Sequence, residues 1–346
     1  MTADLSRYSR QMLFTGIGQE GQARLADSRV LLCGCGALGT VIAETLVRAG
    51  VGFVRIVDRD FVDLSNLQRQ TLFDEQDVSE RLPKSVAAAN KLATINSQVR
   101  IEPIIADINP ANVLQFFDGV DLVIDGTDNF EVRYLINDAS LETGTPWIYG
   151  GCIGSHGQTM AIFPGETACL RCLIEKPPEA SMTETCDTAG VIAPAVNVVA
   201  SLECVAALKI LSGHRADVRP ELIVVDVWDT SLRSMDLSQL RDQGRCPACI
   251  GGERAWLSGD QGARSTILCG RNSVQVSPGE PATLDLDVLA GKLASDGRIV
   301  QNRFLLRLIP HDADIELTIF RDGRAIIQGT DEIARARSLY ARYIGL

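Results

Sequence analysis

"RVLLCGCGALGTVIAETLVRAG", residues 29–50, passes from an apolar run through closely spaced glycines into a segment with helical spacing. Gly34, Gly36 and Gly39 spell G-x-G-x-x-G between a predicted strand and a predicted helix, with Ala37 inside the loop. Glycines there let the backbone approach a phosphate closely, and the helix N-terminus favours the phosphate's negative charge. The next predicted strand, "FVRIVDRD" (53–60), ends in Asp58, 19 residues after Gly39, where a carboxylate accepts hydrogen bonds from ribose hydroxyls. The motif alone does not separate NAD from ATP.

Strands and helices alternate outward from this unit. Residues 83–96, opening with proline, read as a helix, 100–108 as a strand, 110–117 as a short helix, 120–129 as a strand and 131–144 as a helix. Apolar strands alternating with helices form a parallel sheet covered on both faces. After Pro146 the texture becomes glycine-spaced and predicts antiparallel strands, followed by a polar, Pro/Ser/Thr-rich loop at 174–189, a long buried helix at 190–212 and strand again at 221–237. Residues 265–346 carry a separate strand and helix pattern, with a hairpin signal at Asp322-Gly323. The expected architecture is an α/β fold. It comprises a doubly wound, Rossmann-like, mostly parallel sheet extended by antiparallel strands (domain 1–254) and a small C-terminal α+β appendage (265–346) of underived role.

Composition limits the function. The chain has 346 residues, 46% hydrophobic content and a net charge of −11, a balance opposed to a broad nucleic-acid-binding face. The opening "MTADLSRYSRQ" lacks an apolar signal region, and no stretch reaches the roughly 20 uninterrupted apolar residues of a membrane span. Residues 191–211 come nearest, but Asn197, Glu203 and Lys209 interrupt them. Ten cysteines without an export signal indicate a reducing, cytoplasmic setting, where cysteine pairs are more often metal ligands or catalytic thiols than disulfides. His156, His214 and His311 lie far apart and nothing singles out a His-based triad.

The polar run beyond Asp58 favours a nucleoside triphosphate over a dinucleotide. "SNLQRQ" (65–70) supplies Ser65, Asn66 and Arg69, Lys84 opens the following helix, and Asp128 and Asn129 end the fourth strand. In a doubly wound sheet these segments converge at the carboxyl edge. Two cations and a carboxylate there fit a triphosphate with Mg²⁺, the cations stabilising charge on a leaving pyrophosphate and the aspartate holding or orienting the metal. Any one such charge alone would read as a solvated surface residue. Asp60 completes the candidate nucleotide-binding set. Two further pairs, Cys169-x-x-Cys172 and Cys246-x-x-Cys249, supply the four soft ligands of a closed, structural Zn²⁺ site; a redox dithiol in one pair is the alternative. Cys33, Cys35 and Cys204 read as packing residues.

With "RYSRQ" (7–11), "GCGALG", "DRDFVDLSNLQRQ", "PK" (83–84), "GTDNFEVR" and the two cysteine pairs in consistent order over about residues 5–250, the chain resembles the ThiF–MoeB–HesA adenylyltransferases, relatives of the ubiquitin-activating enzymes. The resemblance implies ATP-dependent adenylation of the C-terminal glycine of a small ubiquitin-like sulfur carrier ending Gly-Gly, in thiamin or molybdopterin biosynthesis. It implies that Asp58 holds the ribose, that Asn66, Arg69 and Lys84 hold the phosphates, and that Asp128 holds the magnesium. It further implies a homodimer in which Arg10 reaches into the neighbouring subunit's site. In sulfur-transferring members a cysteine matching Cys186 forms a covalent link to the carrier. A persulfide donor, a cysteine desulfurase or a rhodanese, would supply the sulfur. Ala37 departs from the family's usual glycine in the loop; alanine is small, and little effect is expected. The competing readings are an NAD-dependent oxidoreductase, a non-catalytic carrier-binding member and an adenylating enzyme acting on a nucleic-acid base.

Overall fold

A computed structural model of the chain describes residues 5–177, 189–241, 244–261, 265–268, 272–278, 282–311 and 314–345. The chain divides into two compact units, Met1–Gln261 and Gly262–Leu346.

The first unit is built on one eight-stranded sheet: β1 (Arg29–Cys33), β2 (Phe53–Asp58), β3 (Arg100–Ile105), β4 (Leu122–Asp125), β5 (Trp147–Ile153), β6 (His156–Ile162), β7 (Glu221–Asp226) and β8 (Ser231–Asp236). Their order is β3-β2-β1-β4-β5-β6-β7-β8. The β3 to β5 stretch is parallel, and β6, β7 and β8 are added antiparallel. The chain winds outward from β1 to β3, then returns to β4 on the other side of β1. The switch point therefore lies between β1 and β4, where a crevice opens at the carboxyl ends of the strands.

The helices follow the predicted alternation. They are α1 (Ser9–Met12), α2 (Gly18–Asp27), α3 (Ala37–Ala49), α4 (Glu75–Glu80), α5 (Lys84–Ile95), α6 (Val113–Phe117), α7 (Phe130–Thr143), α8 (Leu170–Leu173) and α9 (Ala193–Leu211). β1 shows why its sequence is apolar without alternation. Val30 and Leu32 enter one core, shared with α3, α5 and α9, while Leu31 and Cys33 enter the other, shared with α6 and α7. With helices on both faces, a period of two only chooses which core a side chain joins.

Helix α9 is long and apolar enough by composition to cross a membrane, yet Val196, Val199, Ala200, Cys204 and Ala207 are all buried in the core. It packs on α3, β5 and β6. Most of the loop expected at 174–189 lies outside the described residues. Helix α4, whose sequence EQDVSE carries little apolar signal, is held by its N-cap: Asp74 accepts from the amides of Gln76 and Asp77, and Asp77 accepts from the amide of Asp74 at 2.9 Å.

The second unit is a six-stranded antiparallel sheet in the order β11-β12-β13-β14-β10-β9. Its strands are β9 (Ser265–Leu268), β10 (Ser273–Val276), β11 (Gly297–Gln301), β12 (Leu305–Pro310), β13 (Glu316–Phe320) and β14 (Ala325–Gln328). The β13–β14 hairpin turns at Asp322-Gly323 with Gly323 at φ +82°, as the sequence predicts. Alternate residues Val274, Leu306, Leu308, Leu317, Ile319 and Ile327 form its core with Leu289 of α10 (Leu286–Leu293) and Tyr340 of α11 (Ile333–Tyr343).

Candidate active site

The switch point is shaped by backbone contacts that only glycine permits. Gly34, at φ +87°, donates its N–H to Val57 O at 2.8 Å and turns the chain from β1 toward α3. A Cβ on Gly39 would stand 2.1 Å from Gly34 O, so this glycine sets how closely the first turn of α3 packs on the loop. Gly36 differs: a Cβ there would meet nothing closer than 3.9 Å, at Gln70 Nε2 and Gly126 O. As the N-cap of α3 it offers no side chain to the helix's first-turn N–H groups, which carry the positive end of the helix dipole.

Asp58 sits beside this turn, nearly buried. Its Oδ2 accepts the Cys35 amide at 2.6 Å and its Oδ1 the Asp60 amide at 2.7 Å. Burial pushes the carboxyl up, while Lys84 and the two amides pull it down. Lys84, the first residue of α5, is 4% exposed, so its ammonium is confined to the site; Nζ lies 3.2 Å from Asp60 Oδ2 and the amide donates to Asp60 O. Asp60 is thus the lysine's counter-ion. The neighbouring Arg59 bonds Asp107 at 3.0 Å. Asn66 is buried and its Oδ1 accepts the Asp63 amide at 3.1 Å, closing the turn Leu64–Asn66. Arg69 is half-buried, with Nη1 donating to Ser65 O at 3.0 Å. Ser65 and Asp128 are exposed. Asn129 spends its side-chain oxygen on the N-cap of α7, accepting from the Glu131 amide at 2.8 Å.

Beneath the β4 loop lies a buried polar layer. Asp125 Oδ2 accepts from Arg133 Nε at 2.8 Å, and Oδ1 accepts from the amide and hydroxyl of Thr127. Arg133 Nη2 donates to Thr127 O and Gly150 O. These bonds fix the loop that presents Asp128. On the other side of the sheet, Glu203 of α9 is fully buried and neither carboxyl oxygen has a hydrogen-bond partner among the described residues. Burial pushes its pKa well up, nearby Asp125 adds to the rise, and Arg133 opposes it.

The four cysteines of the two C-x-x-C pairs converge. Cys169 and Cys246 Sγ are 3.6 Å apart, Cys172 and Cys249 Sγ 3.4 Å, and all four sulfurs lie within 4.8 Å of one another. Sulfurs bound at about 2.3 Å around one tetrahedral ion stand at comparable separations, so the donor set fits Zn²⁺ with no position left open. Cys33, Cys35 and Cys204 are buried, and burial raises each thiol, Cys204 to about 12, as packing residues require. Cys186 lies outside the described residues. The segment that follows it is tied down: Gly190 O accepts from the Gly154 amide at 2.8 Å and Val191 O from Gln68 Nε2 at 3.4 Å.

A family model described as the ThiF family matches residues 8–248. The chain belongs to the ThiF family. Among relatives of known function it is 42% identical over 340 residues to the sulfur carrier protein ThiS adenylyltransferase of Bacillus subtilis, covering 98% of this chain and 99% of that one. It is 36% identical over 247 residues to the molybdopterin-synthase adenylyltransferase of Escherichia coli, covering 71% and 96%. Among solved structures, Escherichia coli MccB with ATP shares the fold at a TM-score of 0.59 and 24% identity, over 70% of this chain and 73% of that one.

The glycine turn, Asp58, Asp60 and Lys84 adjoin one another through the bonds above, and the Ser65–Gln70 run approaches the turn through Gln70, whose Nε2 lies 3.9 Å from where a Cβ on Gly36 would stand. Arg10 is the exception. Its neighbours Tyr8 and Gln11 bond Asn96 and Ala49 O, at the end of α3 opposite the glycine turn, and 13 helical residues span about 20 Å. An arginine side chain does not cover that distance to its own chain's site. The Asp60–Lys84 and Arg59–Asp107 pairings were not foreseen, nor were the Asp125–Arg133 pair and the buried Glu203. Only Glu203 gave a signal, as a charge inside an apolar helix.

Proposed function

We propose that this chain is an ATP-dependent adenylyltransferase that activates the C-terminal glycine of a small ubiquitin-like sulfur carrier. The observation carrying it is the placement of buried Lys84, Asn66 and Asp58 around a glycine turn at a helix N-terminus, in a chain matching a ThiS adenylyltransferase over nearly its full length. That match favours a ThiS-type carrier, and so thiamin biosynthesis, over molybdopterin. The cytoplasm, with ATP and reduced thiols, is its setting.

In the mechanism, Asp58 accepts hydrogen bonds from the ribose hydroxyls and the α3 N-terminus faces the phosphates. The carrier's glycyl carboxylate, already an anion, attacks the α-phosphorus in line, so no side-chain base is required. The bond to the bridging oxygen breaks and pyrophosphate departs with that electron pair. Lys84 and Arg69 stabilise the departing charge, joined by Arg10 from the second subunit of a homodimer. Asp128, exposed on the loop held by Asp125 and Arg133, would hold Mg²⁺, which would supply further neutralisation of the phosphates. A persulfide, on a separate donor or on Cys186, attacks the acyl carbon through its outer sulfur and displaces AMP, forming an acyl disulfide; a thiol then attacks the inner sulfur of that bridge, forming a disulfide with it and releasing the carrier as a thiocarboxylate. The four cysteines would hold Zn²⁺ structurally.

Intact mass of a Gly-Gly carrier incubated with enzyme, ATP and Mg²⁺ tests the reading. An AMP adduct that disappears when the terminal glycine is deleted is expected; no adduct on any such carrier contradicts it.

A further inference from the structure

Gln70 ends the Ser65–Gln70 run, and none of the roles above uses it. Its backbone is set by the turn, the amide donating to Asn66 O at 3.0 Å and the carbonyl accepting from Phe73 at 3.2 Å. Gln70 is 4% exposed, its Oε1 is buried with no hydrogen-bond partner among the described residues, and Nε2 lies 3.9 Å from where a Cβ on Gly36 would stand. The carboxamide therefore projects over the open side of the glycine that caps α3. A buried acceptor without a donor weakens the fold, and an apolar side chain of the same size would avoid that cost. Among the described residues nothing rewards an amide here. A phosphate chain at the α3 N-terminus would.

We propose that Gln70 is a nucleotide-binding residue: its carboxamide, lying over Gly36, donates from Nε2 to the phosphate chain of bound ATP. Oε1 takes up a donor brought by the bound reactants. This rests on the adenylyltransferase reading and adds a contact to its site.

ATP binding with Mg²⁺, by isothermal titration, and melting temperature without nucleotide test it in the full chain as wild type, Q70L, Q70M and Q70E. The Leu and Met variants should melt at or above wild type, since they remove an unpartnered acceptor, and should bind ATP about tenfold more weakly, the strength of one charge-assisted hydrogen bond. Glu, placing a carboxylate against the phosphates, should weaken ATP further. If Leu fails to fold, Met, closer in shape, carries the comparison. Lower melting temperatures with unchanged ATP affinity would make Gln70 a packing residue and overturn the inference alone. A wild-type protein that does not bind ATP would overturn the adenylyltransferase reading together with it.

Discussion

Glu203 has a carboxyl group surrounded by core side chains, Gly150 and the charges of Asp125 and Arg133, with no hydrogen bond to either oxygen among the described residues. Burial is the largest cause of its raised pKa, so the folded protein keeps it protonated to a higher pH than the unfolded chain, which ionises it near pH 4. The sign follows. Its contribution to stability is fully present below about pH 4 and is lost as pH rises toward the folded value, by about 1.4 kcal/mol per pH unit. E203Q, which cannot ionise, should therefore gain stability over wild type progressively as pH rises above about 4 in urea unfolding. A difference that does not change with pH would mean an ionised, compensated Glu203.

Elements place the chemistry, and some were easier to read than others. The β1–α3 turn and Asp58 are legible because sterics and period dictate them: three glycines at fixed offsets, an apolar strand before and a helical stripe after. The antiparallel extension after Pro146 and the Asp322-Gly323 hairpin were legible from their glycines, whereas 221–237, read as strand without a break, divides into β7 and β8. Helix α4 was not, since its stability comes from the reciprocal Asp74–Asp77 cap rather than an apolar stripe. Nor was the Asp60–Lys84 pair, made by residues 24 apart in sequence that meet only when β2 and α5 dock. The cysteine pairs show the same division. Each C-x-x-C is local, but their meeting joins α8 to the segment after β8 across 77 positions. Zinc should therefore tie these segments together. Metal analysis should give about one zinc per chain, and C172S should lose the metal and melt more than about 5 °C lower, each kcal/mol being worth about 2–4 °C in a domain of this size. A zinc-free wild-type protein of unchanged melting temperature would contradict the structural role.

At the scale of the molecule, the first unit carries every proposed nucleotide contact, and the Bacillus subtilis relative matches the chain through the second unit as well. The Arg10 segment is tethered at the far end of α3, so in the proposed mechanism the Arg10 of a second subunit would complete the site. In a homodimer, R10A damages the neighbour's site and R69A its own. Each variant alone should be inactive, whereas mixing and refolding them together should restore about a quarter of wild-type activity, because half the dimers are mixed and each of those keeps one intact site. No restoration would place Arg10 outside catalysis or the protein outside a dimer. The central claim, that a carrier's terminal carboxylate attacks the α-phosphate of ATP, is tested most directly by ATP–pyrophosphate exchange with purified carriers. Exchange that requires a Gly-Gly carrier and vanishes when its last glycine is removed is predicted; no exchange with any such carrier, in a protein that binds ATP, would contradict it.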